Sequence, residues 1–222
     1  MPSKTAQFLT QATRAATPQP TPGETKSANI RGLYQQGIRN IRSDRNMHAE
    51  RRKVEAARLY TTTRAALRKV LKEQHAADDD AFPKLERKLW GFDLERATAT
   101  NKASLDTTIR DAQDRAAGIR KQADAARMLA QAEQAGDAIL ARAIGKRAHD
   151  MDWDDVVADY LSTRPSSAKV YAEAGAIHAR RTDMQSRMHM GMQAALAKPE
   201  ELHGMSDDDI TRMAADPADA AA

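Results

Sequence analysis

Asp150, Asp152 and Asp154 alternate as the first ligands of a calcium-binding loop do. Such a loop needs glycine at its sixth place and glutamate at its twelfth. Asp155 and Leu161 stand there, so the aspartates read as helix-capping residues instead. Thr25-Lys26-Ser27 has the end of a phosphate-binding loop, but no glycine precedes the lysine and no strand leads into it. The chain contains neither Gly-x-Ser-x-Gly nor His-Glu-x-x-His. Its histidines (His48, His75, His149, His178, His189 and His203) are scattered and read as surface residues. Zero cysteines exclude disulfides, thiolate zinc sites and cysteine nucleophiles. No catalytic residue, metal ligand or cofactor is assigned, and the chain reads as a non-enzyme.

Two groups of residues carry binding chemistry. Arg39, Arg42, Arg45, Arg51, Arg52, Lys53, Arg68 and Lys69 form a basic series suited to a polyanion, where phosphate neutralisation supplies affinity. No zinc finger, aromatic RNA platform or helix-turn-helix accompanies it, so such binding would tolerate any sequence. Met184, Met188, Met190 and Met192 lie at helical spacing. They suit either an adaptable binding face or a core or interface filler, and the filler is preferred.

The elements that position these residues follow from composition. Alanine supplies 44 of the 222 residues, whereas Ile, Leu, Val and Phe together supply 31. Alanine leads the helix propensity scale, and aromatic residues are only 4%, so helix is the regular structure the chain supports. Helices so poor in large side chains bury thin stripes and need close partners. The fold class is therefore all-α: an elongated protein whose long helices pair through an Ala-rich seam, with an extended N-terminal arm.

Four segments are expected. Residues 1–27 form a proline-containing arm, with Phe8 and Leu9 its only large apolar residues. Residues 28–76 form basic helix, apolar at Ile30, Leu33, Tyr34, Ile38 and Ile41 and weakest at Ser43-Asp44-Arg45-Asn46. Residues 77–149 form one long helix, opened by Asp78-Asp79-Asp80 and Pro83. Its stripe of Leu105, Ile109, Ala112, Ala116, Ile119, Ala123, Ala126 and Ala130 repeats as a heptad seam and then shifts by three. Residues 150–222 hold a short apolar helix around Trp153, Val157, Tyr160 and Leu161, capped by Asp152. A helix over 167–197, a capping box at Ser206 and a disordered end after Asp216 complete that segment.

Charge is segregated along these segments. Residues 1–76 carry net +10, residues 77–149 +1 and residues 150–222 −7. A basic front and an acidic tail point to a polyanionic partner or to head-to-tail contact between chains. No apolar run is long enough to span a membrane, and no signal peptide is visible, so a cytoplasmic or virion-associated protein is expected. The Ala/Arg/Asp-rich helical style is that of small phage structural and assembly proteins. The reading is a structural or assembly protein, such as a virion or scaffolding component, with other protein subunits as partners. Ala112, Ala116, Ile119, Ala123, Trp153, Val157, Tyr160 and Leu161 are its expected interaction residues. The alternative is a nonspecific nucleic-acid binder.

Overall fold

Thr21 opens the described chain with a capping box. Its hydroxyl accepts from the Glu24 N–H at 3.2 Å, and the Glu24 carboxylate accepts from the Thr21 N–H at 2.6 Å. The next residue is Pro22, at the first helical position, where its missing N–H costs nothing. The helix therefore starts inside the segment expected to be an arm. The computed structural model describes residues 21–92 and 99–215. The expected arm over residues 1–20 and the expected disordered end from Asp216 lie outside the described residues.

All regular structure among the described residues is helical. The α-helices are α1 (Pro22–Ser43), α2 (Ala49–Trp90), α3 (Ala99–Ala117), α4 (Gln122–Ala135), α5 (Ala138–Asp150), α6 (Asp154–Ser162), α7 (Pro165–Thr182), α8 (Met184–Ala194) and α9 (Asp207–Ala215). A 3-10 turn, Glu200–Leu202, precedes α9. No described helix is long and apolar enough to cross a membrane.

The expected break after Ser43 is present: Asp44 ends α1, and its side chain accepts from the Asn46 N–H at 2.9 Å. The expected helix start at Asp78–Pro83 is not. α2 runs through it, with Pro83 inside the helix. Asp78 is buried and turned sideways, where it accepts two hydrogen bonds from Arg180 at 2.8 Å each and one from Gln74 at 2.9 Å. An aspartate that binds a guanidinium laterally has no need to cap a helix.

The single helix expected over 77–149 is also overturned, because the chain stops twice within it. Gly118 ends α3, and Arg147 donates to the carbonyl of Ile119 at 3.2 Å, so the chain turns there. Gly136 then ends α4 in the left-handed conformation (φ 71°), and the Asp137 N–H reaches back to the Ala132 carbonyl at 2.9 Å. Asp137 immediately caps α5 by accepting from the Leu140 N–H at 2.9 Å. Glycine in a helix interior costs about 1 kcal/mol relative to alanine, and an alanine stripe buries too little area to override such stops. The heptad seam is thereby cut. Ile109, Ala112, Ala116 and Ile119 are buried, but Ala123 and Ala130 are exposed.

Two compact units result, one from residues 80–178 and one from residues 21–79 with 179–215. In the first, α5 packs against α3, α4 and α6, and α4 also touches α6. One core cluster gathers Ile144, Val156, Tyr160 and Leu129 with the small residues Ala112, Ala116 and Ala141. In the second, Tyr34, Ile38, Ala56, Ala57 and Tyr60 pack with Leu202 and Ile210 from the C-terminal segment. Leu33, expected on the apolar stripe of α1, is instead 61% exposed. The helix expected over 167–197 is divided by Asp183, which caps α8 through the Ser186 N–H at 2.7 Å. Trp153, not Asp152, occupies the cap position of α6, and Asp152 takes a positive φ of 54°.

Candidate functional site

The residues expected to pack on a neighbouring helix or subunit through the 80–178 segment are largely core. Ala112, Ala116, Ile119, Val157, Tyr160 and Leu161 join one buried cluster, with half-buried Trp153 packed against it. Their partners are α5 and α6 of the same chain, so they are not a free surface. Ala123 lies apart from them and is exposed. Tyr160 is held tightly: the Arg164 guanidinium lies 4.3 Å from its ring centroid and pairs with Glu133 at 2.6 Å.

The basic series is divided in its use. Arg42 pairs with Glu201 at 2.7 Å and with Glu200 at 3.6 Å. Arg52 donates to the carbonyls of Asp44 and Met47 at 3.1 Å and so closes the α1–α2 corner. Lys53 pairs with Glu50 one turn earlier. Arg51 is exposed. Arg39, Arg45, Arg68 and Lys69 are exposed and form no ion pair among the described residues. The acidic tail therefore meets the basic front within one chain. Asp207 binds both Arg64, at 2.6 Å, and Lys198, at 2.9 Å. These contacts hold the carboxyls of Asp207 and Glu201 below the usual carboxylate range, through hydrogen bonds from Lys198 and Arg64 and from Arg42 respectively.

A groove of about 490 Å³ lies between α1 and residues 195–199. Arg31 bridges it by donating to the Met192 carbonyl at 2.8 Å, and the Tyr34 hydroxyl donates to Ala197 at 3.2 Å. Burial, then the neighbouring Tyr60 and Glu201, push the Tyr34 hydroxyl up to about 12. Arg39 and Arg42 line the groove beside it.

Among the described residues, α8 exposes three methionines. Met184, Met188 and Met192 are 81%, 62% and 67% exposed, while Met190 alone of the four is buried. Met190 is thus core filler, and the other three are not buried within this chain. Four-residue spacing places the other three along one side of the helix. α8 contains Arg187 and His189 and no acidic residue.

A second cavity, of about 420 Å³, opens between the end of α2 and α7. Trp90 stacks on His149 with centroids 5.6 Å apart and meets Tyr171 edge-on at 6.4 Å. The Tyr171 hydroxyl and the His149 Nδ1 are 3.3 Å apart. Phe82 and His178 face each other at 6.1 Å. His149 is thus part of an aromatic cluster rather than a bare surface residue. Sequence reading missed this site because its members come from three segments. The available signal was periodic: Phe82, Glu86 and Trp90 recur at four-residue steps, as do Tyr171 and Gly175.

No group of three or more His, Asp or Glu among the described residues is arranged to hold a metal ion. Comparison with protein-family models finds no match, and comparisons with curated proteins and with solved structures find none either.

Proposed function

We propose that the protein is a non-enzymatic helical assembly protein whose copies associate through the methionine face of α8. The exposure of Met184, Met188 and Met192 carries this reading. Contiguous exposed apolar surface marks interaction sites, and methionine adapts its shape to a partner. The second copy is the favoured occupant because the chain supplies the matching charge itself. Arg187 flanks the stripe, and α6 exposes Asp154, Asp155 and Asp159. A contact between unlike surfaces repeats from copy to copy and generates rings or filaments. A virion or scaffolding component is the specific form of this proposal, drawn from the composition, and the seam of long paired helices gives way in it to the α8 face.

The test is mass by light scattering across concentration. The parent chain forms a multimer, and changing Met184, Met188 and Met192 together to Gln yields a monomer with unchanged helicity and melting. A parent chain that remains monomeric overturns the proposal.

Exposed Arg68, Lys69 and Lys72 on α2 favour a second reading, nonspecific binding to nucleic acid. Changing all three to Gln would then lower the salt slope of DNA binding by about 0.9 for each phosphate no longer neutralised.

A further inference from the structure

The cavity between α2 and α7 is built as a ladder. Trp90 meets Tyr171 at one end, and Phe82 meets His178 at the other. Glu86 lies midway on α2, and Gly175 lies one turn beyond Tyr171 on α7. The aromatic ends are eight residues apart on α2, or about 12 Å by helical rise. Gly175 leaves the middle open: a β-carbon built there meets no atom within 4 Å. Glu86 forms no ion pair among the described residues. The result is a recess with aromatic walls and a carboxylate.

The geometry points to a binding site for an organic cation, a quaternary or alkylated ammonium. The face of an indole or phenol ring attracts such a cation, most strongly where water is thinned, and a carboxylate adds Coulombic attraction. At Tyr171 the local field has the same sign, since Asp154 and Asp152 add to burial in raising its hydroxyl. A neutral aromatic guest would gain from the walls but not from Glu86. The site rests on residues other than those of the α8 face, and either proposal can fail without the other.

The experiment is titration with choline and with its uncharged isostere 3,3-dimethylbutan-1-ol, followed by Trp90 fluorescence in a Trp153→Phe background. Choline binds saturably, and the isostere binds at least about tenfold more weakly. Glu86→Gln weakens choline by a similar factor without lowering the melting temperature. Gly175→Leu fills the recess and abolishes binding while the chain stays folded. A trimethyllysine peptide is the second probe. Its preference over choline marks the cation as protein-borne, the reverse marks a free small molecule, and both support the site. Equal binding of choline and isostere, or no binding by the folded protein, overturns the inference.

Discussion

The ring of Tyr160 lies against the bare backbone of Gly145: a β-carbon built on that glycine would sit 2.9 Å from two ring atoms. α5 and α6 therefore approach as closely as they do because residue 145 has no side chain. Tyr160 is 1% exposed and cannot move aside without leaving the core. Gly145→Ala gains about 1 kcal/mol of helix propensity but overpacks the contact by about 1–3 kcal/mol. A net loss of stability is expected. Gly175→Ala in the same unit meets open space and is expected to stabilise by up to about 1 kcal/mol. Thermal melts of the two variants check the contrast, and equal shifts would show that Tyr160 yields freely.

Ala116 and Ala123 share a heptad position pattern but not an environment. Ala116 is 3% exposed beneath α5, and Ala123 is exposed on α4 after the chain has turned at Gly118. Ala116→Leu is expected to cost about 1–3 kcal/mol by overpacking. Ala123→Leu is expected to stay within about 0.5 kcal/mol of the parent. Urea unfolding separates them. Similar costs at both sites would restore a continuous seam.

The difference between these alanines shows what the amino-acid order discloses. Composition and three- and four-residue steps sufficed for the helices of the described residues, for the break at Ser43–Asn46, and for Val157, Tyr160 and Leu161 as one apolar helical face. Local stops were also present as Gly118 and Gly136-Asp137, but a heptad pattern of alanines hides them, since alanine favours helix whether or not it is buried. What no periodicity discloses is pairing at long range. The Asp78 carboxylate looks like a helix cap until Arg180 is brought beside it. Trp90 and His149 look unrelated until α2 and α5 bring their rings together. The methionines of α8 are alike in sequence, and only the packing of the helix separates Met190 from Met184, Met188 and Met192.

The acidic C-terminal segment is a clasp on its own basic front. Leu202 and Ile210 are both fully buried among Tyr34, Ile38 and Tyr60, and Arg42, Arg64 and Lys198 pair with the carboxylates beside them. The apolar plugs outweigh the ion pairs, because solvent screens pairs as exposed as these. Ile210→Ala is expected to cost about 2–5 kcal/mol. Asp207→Asn is expected to cost far less than that, with a smaller effect in high salt. Chemical denaturation at two salt concentrations tests the ranking. A larger loss from Asp207→Asn would make the clasp electrostatic.

Asp78 and Arg180 make the unit acid-sensitive. Burial alone would raise the Asp78 carboxyl, but the Arg180 hydrogen bonds and charge outweigh it, aided by Gln74 and His75, and hold the group below its ordinary value. The folded state thus binds this proton less readily than the unfolded chain does. Its stabilising contribution is complete above the ordinary carboxylate range, near about pH 4, and is lost as pH falls through the lower folded value. Asp78→Ala leaves the Arg180 guanidinium, only 22% exposed, without its carboxylate and is expected to cost about 3–5 kcal/mol near neutral pH. The variant's stability should fall less steeply than the parent's below about pH 4. Denaturant melts from neutral pH into the acid range measure both effects. Parallel stability curves for parent and variant would show that the pair contributes nothing to the acid transition.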